Sequence, residues 1–86
     1  MTIPARVQSI IETVADEFRV SPADIIGPSK RQKFYRARRR AMKMVRSIPW
    51  GSAGRPPSYP LIGQWFGGRD HATVIHAVRD EEGCVE

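Results

Sequence analysis

Apolar residues recur at helical spacing along the chain and divide it into a series of short helices. The first apolar stripe follows the three- and four-residue steps of one helix face and consists of Ile3, Val7, Ile10, Ile11, Val14 and Phe18. Because proline is tolerated in a first turn, Pro4 can open this helix. The pattern therefore predicts a first helix from about residue 4 to Phe18.

The stretch "VSPADIIG" predicts a second, very short helix. Ser21 can cap its N-terminus, and Pro22 suits the first helical position. Asp24 falls at the third position, where a negative charge is stabilised by the helix dipole. The pair Gly27-Pro28 ends the helix almost at once, so it buries little more than two isoleucines.

"PSKRQKFY" has no apolar period and is interpreted as a basic loop. A third helix is predicted from Tyr35 or Arg36 to Ile48, and its buried stripe consists of Ala37, Ala41, Met44, Val45 and Ile48. Residues 49–58 are rich in glycine and proline and indicate a loop, in which Trp50 is the only large apolar anchor.

"SYPLIGQWF" predicts a short fourth helix, opened by Ser58 or Tyr59, that gives Leu61, Ile62, Trp65 and Phe66 to the core. Two glycines follow as a turn, and a fifth helix is expected from around Asp70 to near Arg79, with a frayed tail from about residue 81. The 86 residues thus predict one all-α domain over residues 1–86, with about five helices and a thin core.

Positive charge is concentrated in the middle of the chain. The net charge is +5, and the segment between Asp24 and Asp70 has eleven Lys and Arg residues and no acid. Nine of these are Lys30, Arg31, Lys33, Arg36, Arg38, Arg39, Arg40, Lys43 and Arg46. Positive charges that no nearby acid balances repel one another and destabilise the folded state. A bound polyanion removes this repulsion. Charge alone leaves nucleic acid, an anionic lipid and an acidic protein as candidate partners.

Two short helices joined by a glycine turn are typical of a helix-turn-helix, whose second helix enters the major groove of DNA. The residues that would meet base edges are those after the turn, from Arg69 to Thr73. Asp70 could equally serve as a plain N-cap for the last helix, and one carboxylate can do both.

Other function classes find little support in the residues. No motif places a Ser or Cys nucleophile beside Asp70 and His71, so an enzyme is not expected. His71, His76 and Cys84 are too few and too loosely spaced for a metal site, and no cofactor or small-molecule substrate is expected. No apolar run reaches membrane-spanning length, and the expected location is the cytoplasm, in association with the nucleoid.

The segment "FGGRDHATVIHAVR" resembles the signature near the end of the bacterial replication initiator DnaA, which reads Gly-Gly-Arg-Asp-His-Thr-Thr-Val, an apolar residue and His. "VADEFRVSPADIIGPSKRQKFYRARRRAMKMV" is similar to the stretch that opens the C-terminal DNA-binding domain (domain IV) of that family. The resemblance covers about residues 10–79. It implies a Trp repressor-like arrangement of helices that binds short, A·T-containing boxes in double-stranded DNA, typically as a monomer.

The resemblance also implies residue roles. Asp70, His71 and Ala72 would face bases in the major groove, and Lys30 or Arg31 would enter the minor groove. The expected contacts to the DNA backbone are Arg36, Arg38, Arg39, Lys43, Arg46, Arg69, Thr73 and His76.

Three departures from the family pattern matter. Ala72 stands where the family has Thr, so one hydroxyl is lost and the preferred box is expected to differ. The loop of residues 49–58 is longer than its family equivalent. The 86 residues also contain no G-x-x-x-x-G-K-[ST] loop, so no ATPase activity is expected. The chain is interpreted as a transcription or replication regulator or competitor from a bacterium, a phage or a mobile element.

Overall fold

A computed structural model describes residues 3–28, 31–50 and 54–83, and in this part of the chain the regular structure is helical. The helices are α1 (Ala5–Phe18), α2 (Pro22–Ile26), α3 (Gln32–Arg46), α4 (Tyr59–Trp65) and α5 (His71–Gly83). The expected all-α class and the number of helices are confirmed. Helix α3 lies at the centre and packs against each of the other four.

The core is formed largely by the apolar stripes that the sequence indicates, except on α3, where Met42 is fully buried and the expected Met44 and Ile48 are only partly buried. Val7, Ile11 and Val14 of α1 are at most 1% exposed and face α3. Ile62 and Phe66 bring the fourth helix and its end into the same cluster, and both are fully buried. Burial of these side chains supplies the main driving force for folding, at about 1.5–3 kcal/mol for each large apolar residue.

Helix α2 is short because its ends are strongly specified. Ser21 Oγ accepts from the Ala23 N–H at 3.0 Å, and the Ser21 N–H donates to Asp24 Oδ2 at 3.1 Å. Together these bonds form a capping box, so the predicted cap at Ser21 is confirmed, with Pro22 in the first turn. The helix ends at Gly27, whose N–H donates to the Ala23 carbonyl oxygen at 2.7 Å.

Helix α3 begins earlier than the sequence indicated. Arg31 is its N-cap and Gln32 its first residue, so the part of the expected basic loop from Gln32 to Tyr35 is helical. The helix also ends two residues early, at Arg46 instead of Ile48. The early start matters because it places the side chain of Tyr35 on a rigid element that faces α5.

The loop of residues 49–58 is fixed to the core at its two ends, although residues 51–53 lie outside the described part of the chain. The Trp50 N–H donates to the Arg55 carbonyl oxygen at 2.7 Å and forms an isolated bridge. The Trp50 ring meets the Trp65 ring edge-on, with 4.9 Å between centroids. The expectation that Trp50 anchors this loop is therefore confirmed.

Helices α4 and α5 form the expected helix-turn-helix, with Ser58 Oγ accepting from the Leu61 N–H at the start of α4. Helix α5 continues to Gly83, beyond the expected end near Arg79. Glu81, which was assigned to a frayed tail, lies on this helix and binds α3. The expected tail from residue 81 was therefore wrong for residues 81–83.

The turn between α4 and α5 requires its glycines for two different reasons. Gly67 and Gly68 adopt φ values of +89° and +76°, which side chains disfavour. A Cβ on Gly67 would also lie 2.4 Å from the Ile26 carbonyl oxygen, whereas a Cβ on Gly68 would meet nothing within 4 Å. Gly63 of α4 is a second close approach, since a Cβ there would lie 2.1 Å from the Arg69 carbonyl oxygen.

These two turn glycines allow a matched test of how closely the turn contacts α2. Gly68→Ala should lower the free energy of unfolding by about 1 kcal/mol, because only the left-handed backbone is penalised. Gly67→Ala should lower it by about 3 kcal/mol, because the turn must also move away from Ile26. Urea unfolding followed by circular dichroism measures both, and equal losses would contradict the close approach.

Candidate nucleic-acid interface

The first turn of α5 is exposed, while the remainder of its inward face is buried. Asp70, His71, Ala72 and Thr73 are all exposed, and Val74 is the first buried residue after the turn. His76, one turn further along, is also exposed. The structure thus places the residues predicted to face the major groove together, at the start of a helix whose inward face is buried in the core.

Asp70 combines two local interactions. Its Oδ1 accepts from the Ala72 N–H at 3.4 Å, a long N-cap bond, and lies 3.1 Å from His71 Nδ1. Both side chains remain well exposed, at 68% for Asp70 and 60% for His71. The Thr73 N–H donates to the backbone carbonyl oxygen of Asp70, at 3.1 Å, and not to its side chain. The cap therefore leaves most of the carboxylate accessible to a partner.

Arg38 requires a correction, because it lies inside the fold and not along a phosphate-binding surface. The residue is 5% exposed. Its Nε donates to the Ile25 carbonyl oxygen at 2.6 Å, and its Nη2 donates to the carbonyl oxygens of Asp24 and Gly27 at 3.0 Å each. Burial and the nearby positive charge of Arg69 lower the pKa of Arg38 to about 10, so it stays charged at neutral pH.

Arg69, in the turn before α5, is also held by backbone carbonyl groups, although it is only partly buried. Its Nη1 donates to the carbonyl oxygens of Ile26, at 3.0 Å, and of Phe66, and its Nη2 donates to that of Gly27 at 2.5 Å. Burial lowers the pKa of this guanidinium as well. These bonds hold the side chain against α2, which explains its position better than a contact to DNA backbone.

An ion-pair cluster ties the middle of α3 to the end of α5. Arg39 Nε lies 3.1 Å from Glu81 Oε1, and Arg40 Nη1 lies 3.2 Å from Glu81 Oε2. Arg39 is only 18% exposed in this arrangement, whereas Arg40 is 48% exposed. Part of the positive charge on α3 is thus balanced by an acid that is distant in sequence.

Arg46 is held at the other end of α3. Its Nη1 donates to the Pro57 carbonyl oxygen at 2.6 Å, and its guanidinium carbon lies 4.1 Å from the centroid of the Tyr59 ring. Both contacts fix the end of the 49–58 loop to the helix. The group remains only partly buried, so a phosphate can still approach it.

A groove of about 550 Å³ separates the first turn of α3 from the first turn of α5. Gln32 and Tyr35 line it from one side and Thr73 from the other. The Tyr35 hydroxyl donates to Asp80 Oδ2 at 2.5 Å, and burial together with this carboxylate raises the pKa of Tyr35. The phenol therefore stays protonated at neutral pH and joins the two helices.

The other predicted contacts within the described residues belong to α3. Arg31 is exposed at the start of α3, next to Gln32, whereas Lys30 lies outside the described residues. Arg36 is exposed one turn later, and Lys43 is partly exposed further along the helix.

Sequence reasoning missed the internal role of Arg38, although a signal was available. Arg38 precedes Ala41 by three residues and Val45 by seven, and both of these belong to the predicted buried stripe. The pairing of Glu81 with two arginines, and of Asp80 with Tyr35, had no comparable local signal. Both depend on how α5 crosses α3.

The described part of the chain contains neither a cluster of metal ligands nor a membrane-spanning helix. No group of three or more His, Cys, Asp or Glu residues there could hold a metal ion. None of the described helices is both long enough and apolar enough to cross a membrane.

Comparisons with known proteins identify the family. A family model described as "Bacterial dnaA protein helix-turn-helix" matches residues 7–80. The chromosomal replication initiator protein DnaA of Xanthobacter autotrophicus is 38% identical over 93% of this chain, and that of Thermus thermophilus is 36% identical over 90%. The chain spans only about 15–16% of the length of these relatives. Because the family model spans nearly the whole sequence, this chain belongs to the bacterial DnaA helix-turn-helix family.

Proposed function

We propose that this chain is a sequence-specific binding module for double-stranded DNA that reads a short box similar to a DnaA box. The observation that carries the proposal is the exposed first turn of α5, presented by a glycine turn whose position the core fixes. Family membership supports DNA as the partner in preference to RNA, an anionic lipid or an acidic protein.

In this proposal the first turn of α5 enters the major groove. The Asp70 carboxylate can accept from the amino group of cytosine, and the His71 imidazole can donate to or accept from a base edge. The methyl group of Ala72 can pack against the methyl group of thymine. Thr73 and His76, which are exposed further along α5, would contact the DNA backbone.

The remaining contacts would come from α3. Arg31, or Lys30 just before it, would enter the neighbouring minor groove, where basic side chains favour A·T-rich sequence. Arg36, Arg39, Lys43 and Arg46 would bind phosphates, which supply affinity without sequence information. Arg38 and Arg69 would contribute through the structure and not through direct contact.

The biological role that fits this module is that of a regulator or competitor at such boxes. We propose that the module itself acts by occupying such sites as a monomer, without ATPase activity of its own. The cytoplasm, with the nucleoid, is the location at which it would meet DNA.

Selection of bound duplexes from a random pool tests the proposal directly. Recovery of one short, A·T-containing box is the expected result. Repeating the selection with Ala72→Thr should change the preference at one base pair and leave the others, because only one side chain in the groove differs. Failure to enrich any sequence at moderate salt would refute the proposal.

His71→Ala separates specific from non-specific binding. The variant should lose roughly 1–3 kcal/mol of affinity for the selected box and almost none for random duplex, because only the box presents the base edge that His71 reads. Fluorescence anisotropy at fixed salt measures both affinities. Equal losses on the two duplexes would contradict the assigned role.

Arg36→Ala should show the opposite behaviour. Removing an exposed phosphate contact should weaken binding to the box and to random duplex by the same factor. The slope of log K against log salt should become smaller by about 0.9, the value for one lost phosphate contact on B-DNA. A change in base preference would mean that Arg36 does not contact phosphate.

Glu81→Gln tests whether the ion-pair cluster restrains the phosphate-binding charge of α3. Without the carboxylate, Arg39 and Arg40 are no longer balanced by it, so affinity should rise for all duplexes, by about 0.5–1 kcal/mol. Glu12→Gln removes the same charge from an exposed position on α1 and is the matched control. Similar effects of the two variants would show that only net charge matters.

A further inference from the structure

Two arginines join the three elements from which the proposed DNA contacts arise. Arg38 extends from α3 and Arg69 from the turn before α5, and both donate to carbonyl groups at the end of α2. The Gly27 carbonyl oxygen accepts from both guanidinium groups, at 3.0 Å from Arg38 and at 2.5 Å from Arg69. The end of α2 is therefore a shared acceptor between α3 and the helix-turn-helix.

We propose that Arg69 is a positioning residue, which fixes the distance and rotation between the α5 contact in the major groove and the Arg31 contact in the minor groove. The inference rests on the proposed function and adds a structural reason for how two separate contacts are kept in register. Arg69 itself would not need to touch DNA.

The connection between the two contacts is short and rigid. Arg69 precedes Asp70 directly in the chain. On the other side, Arg31 precedes Arg38 by seven residues, about two turns of the same helix. Asp70 is thus adjacent to Arg69, and Arg31 is on the same helix as Arg38. Both of these arginines bind the Gly27 carbonyl oxygen.

Arginine is suited to this position because of its planar fork. Arg69 holds the carbonyl oxygens of Ile26, Gly27 and Phe66 at once, which fixes the turn against both α2 and the end of α4. A lysine keeps the charge but carries it as a single rotating ammonium, so it cannot hold all three acceptors in one geometry. Arg69→Lys should therefore loosen the register while leaving the charge unchanged.

The test uses the box recovered by selection and a second duplex, in which one base pair is inserted between the part of the box that α5 contacts and the part that Arg31 contacts. The part read by Arg31 is identified as the base pairs whose preference disappears in Arg31→Ala. One added base pair moves the parts apart by about 3.4 Å and rotates them by about 36°. If the register is rigid, the wild-type chain should bind the inserted duplex more than tenfold more weakly than the intact box.

For Arg69→Lys, the same insertion should lower the affinity less than threefold, because the two contacts of this variant can adjust to the new spacing. Arg19→Lys, the same change at an exposed residue after α1, is the matched control and should keep the wild-type penalty. A folded Arg69→Lys variant, checked by circular dichroism, that keeps a penalty above tenfold would overturn the inference. A purely structural role would lower affinity for both duplexes without changing their ratio.

A second variant tests the premise of the inference, that two contacts are kept in register, even if Arg69→Lys does not fold. Arg31→Ala changes an exposed side chain and leaves the bonds of Arg38 and Arg69 in place. Its insertion penalty should fall below threefold, since no second contact remains to be kept in register. An unchanged penalty would overturn the inference.

The two proposals fail in different ways. If selection recovers no box, the proposed function is wrong. If a box is recovered but the wild-type chain tolerates the insertion, the function stands and the positioning role of Arg69 is refuted.

Discussion

A helix of five residues cannot satisfy its own C-terminal carbonyl groups, and in this chain two arginines from other elements do so. The carbonyl oxygens from Asp24 to Gly27 accept from Arg38 or Arg69, and in one case from both. The alternative, buried carbonyls without donors, would cost about 1–3 kcal/mol each. This constraint brings α2, α3 and the turn before α5 together, and Gly67 allows it because a side chain there would collide with α2.

The choice of acceptor also affects the charge of the surface. Carbonyl dipoles satisfy the donors of Arg69 without cancelling its charge, so it still contributes to the positive field near α5. Arg39 and Arg40 differ, because Glu81 balances them with a full negative charge. The basic segment that looks uniform in the sequence thus contains arginines that support the fold, arginines balanced by an acid, and exposed ones such as Arg36.

Local patterns predicted the elements well, because helix stripes and caps depend on near neighbours. Ser21, Trp50 and the glycine turn were all placed correctly for this reason. The start of α3 was missed because the residues from Gln32 to Tyr35 belong to the helix without adding to its apolar stripe. The roles of Arg38 and Glu81 depend on contacts across the fold, with partners 11 to 14 and 41 to 42 residues away. Charge counting cannot distinguish such residues from a free surface.

The exposure of the first turn of α5 has an evolutionary consequence. Asp70, His71, Ala72 and Thr73 contribute nothing to the buried core, which on this helix begins at Val74. Substitutions at the exposed positions after the cap therefore cost little stability, usually within about 0.5 kcal/mol. A scaffold of this kind can acquire a new target sequence by single mutations while its folding remains intact, so related chains can diverge in the sites they occupy without passing through unstable intermediates.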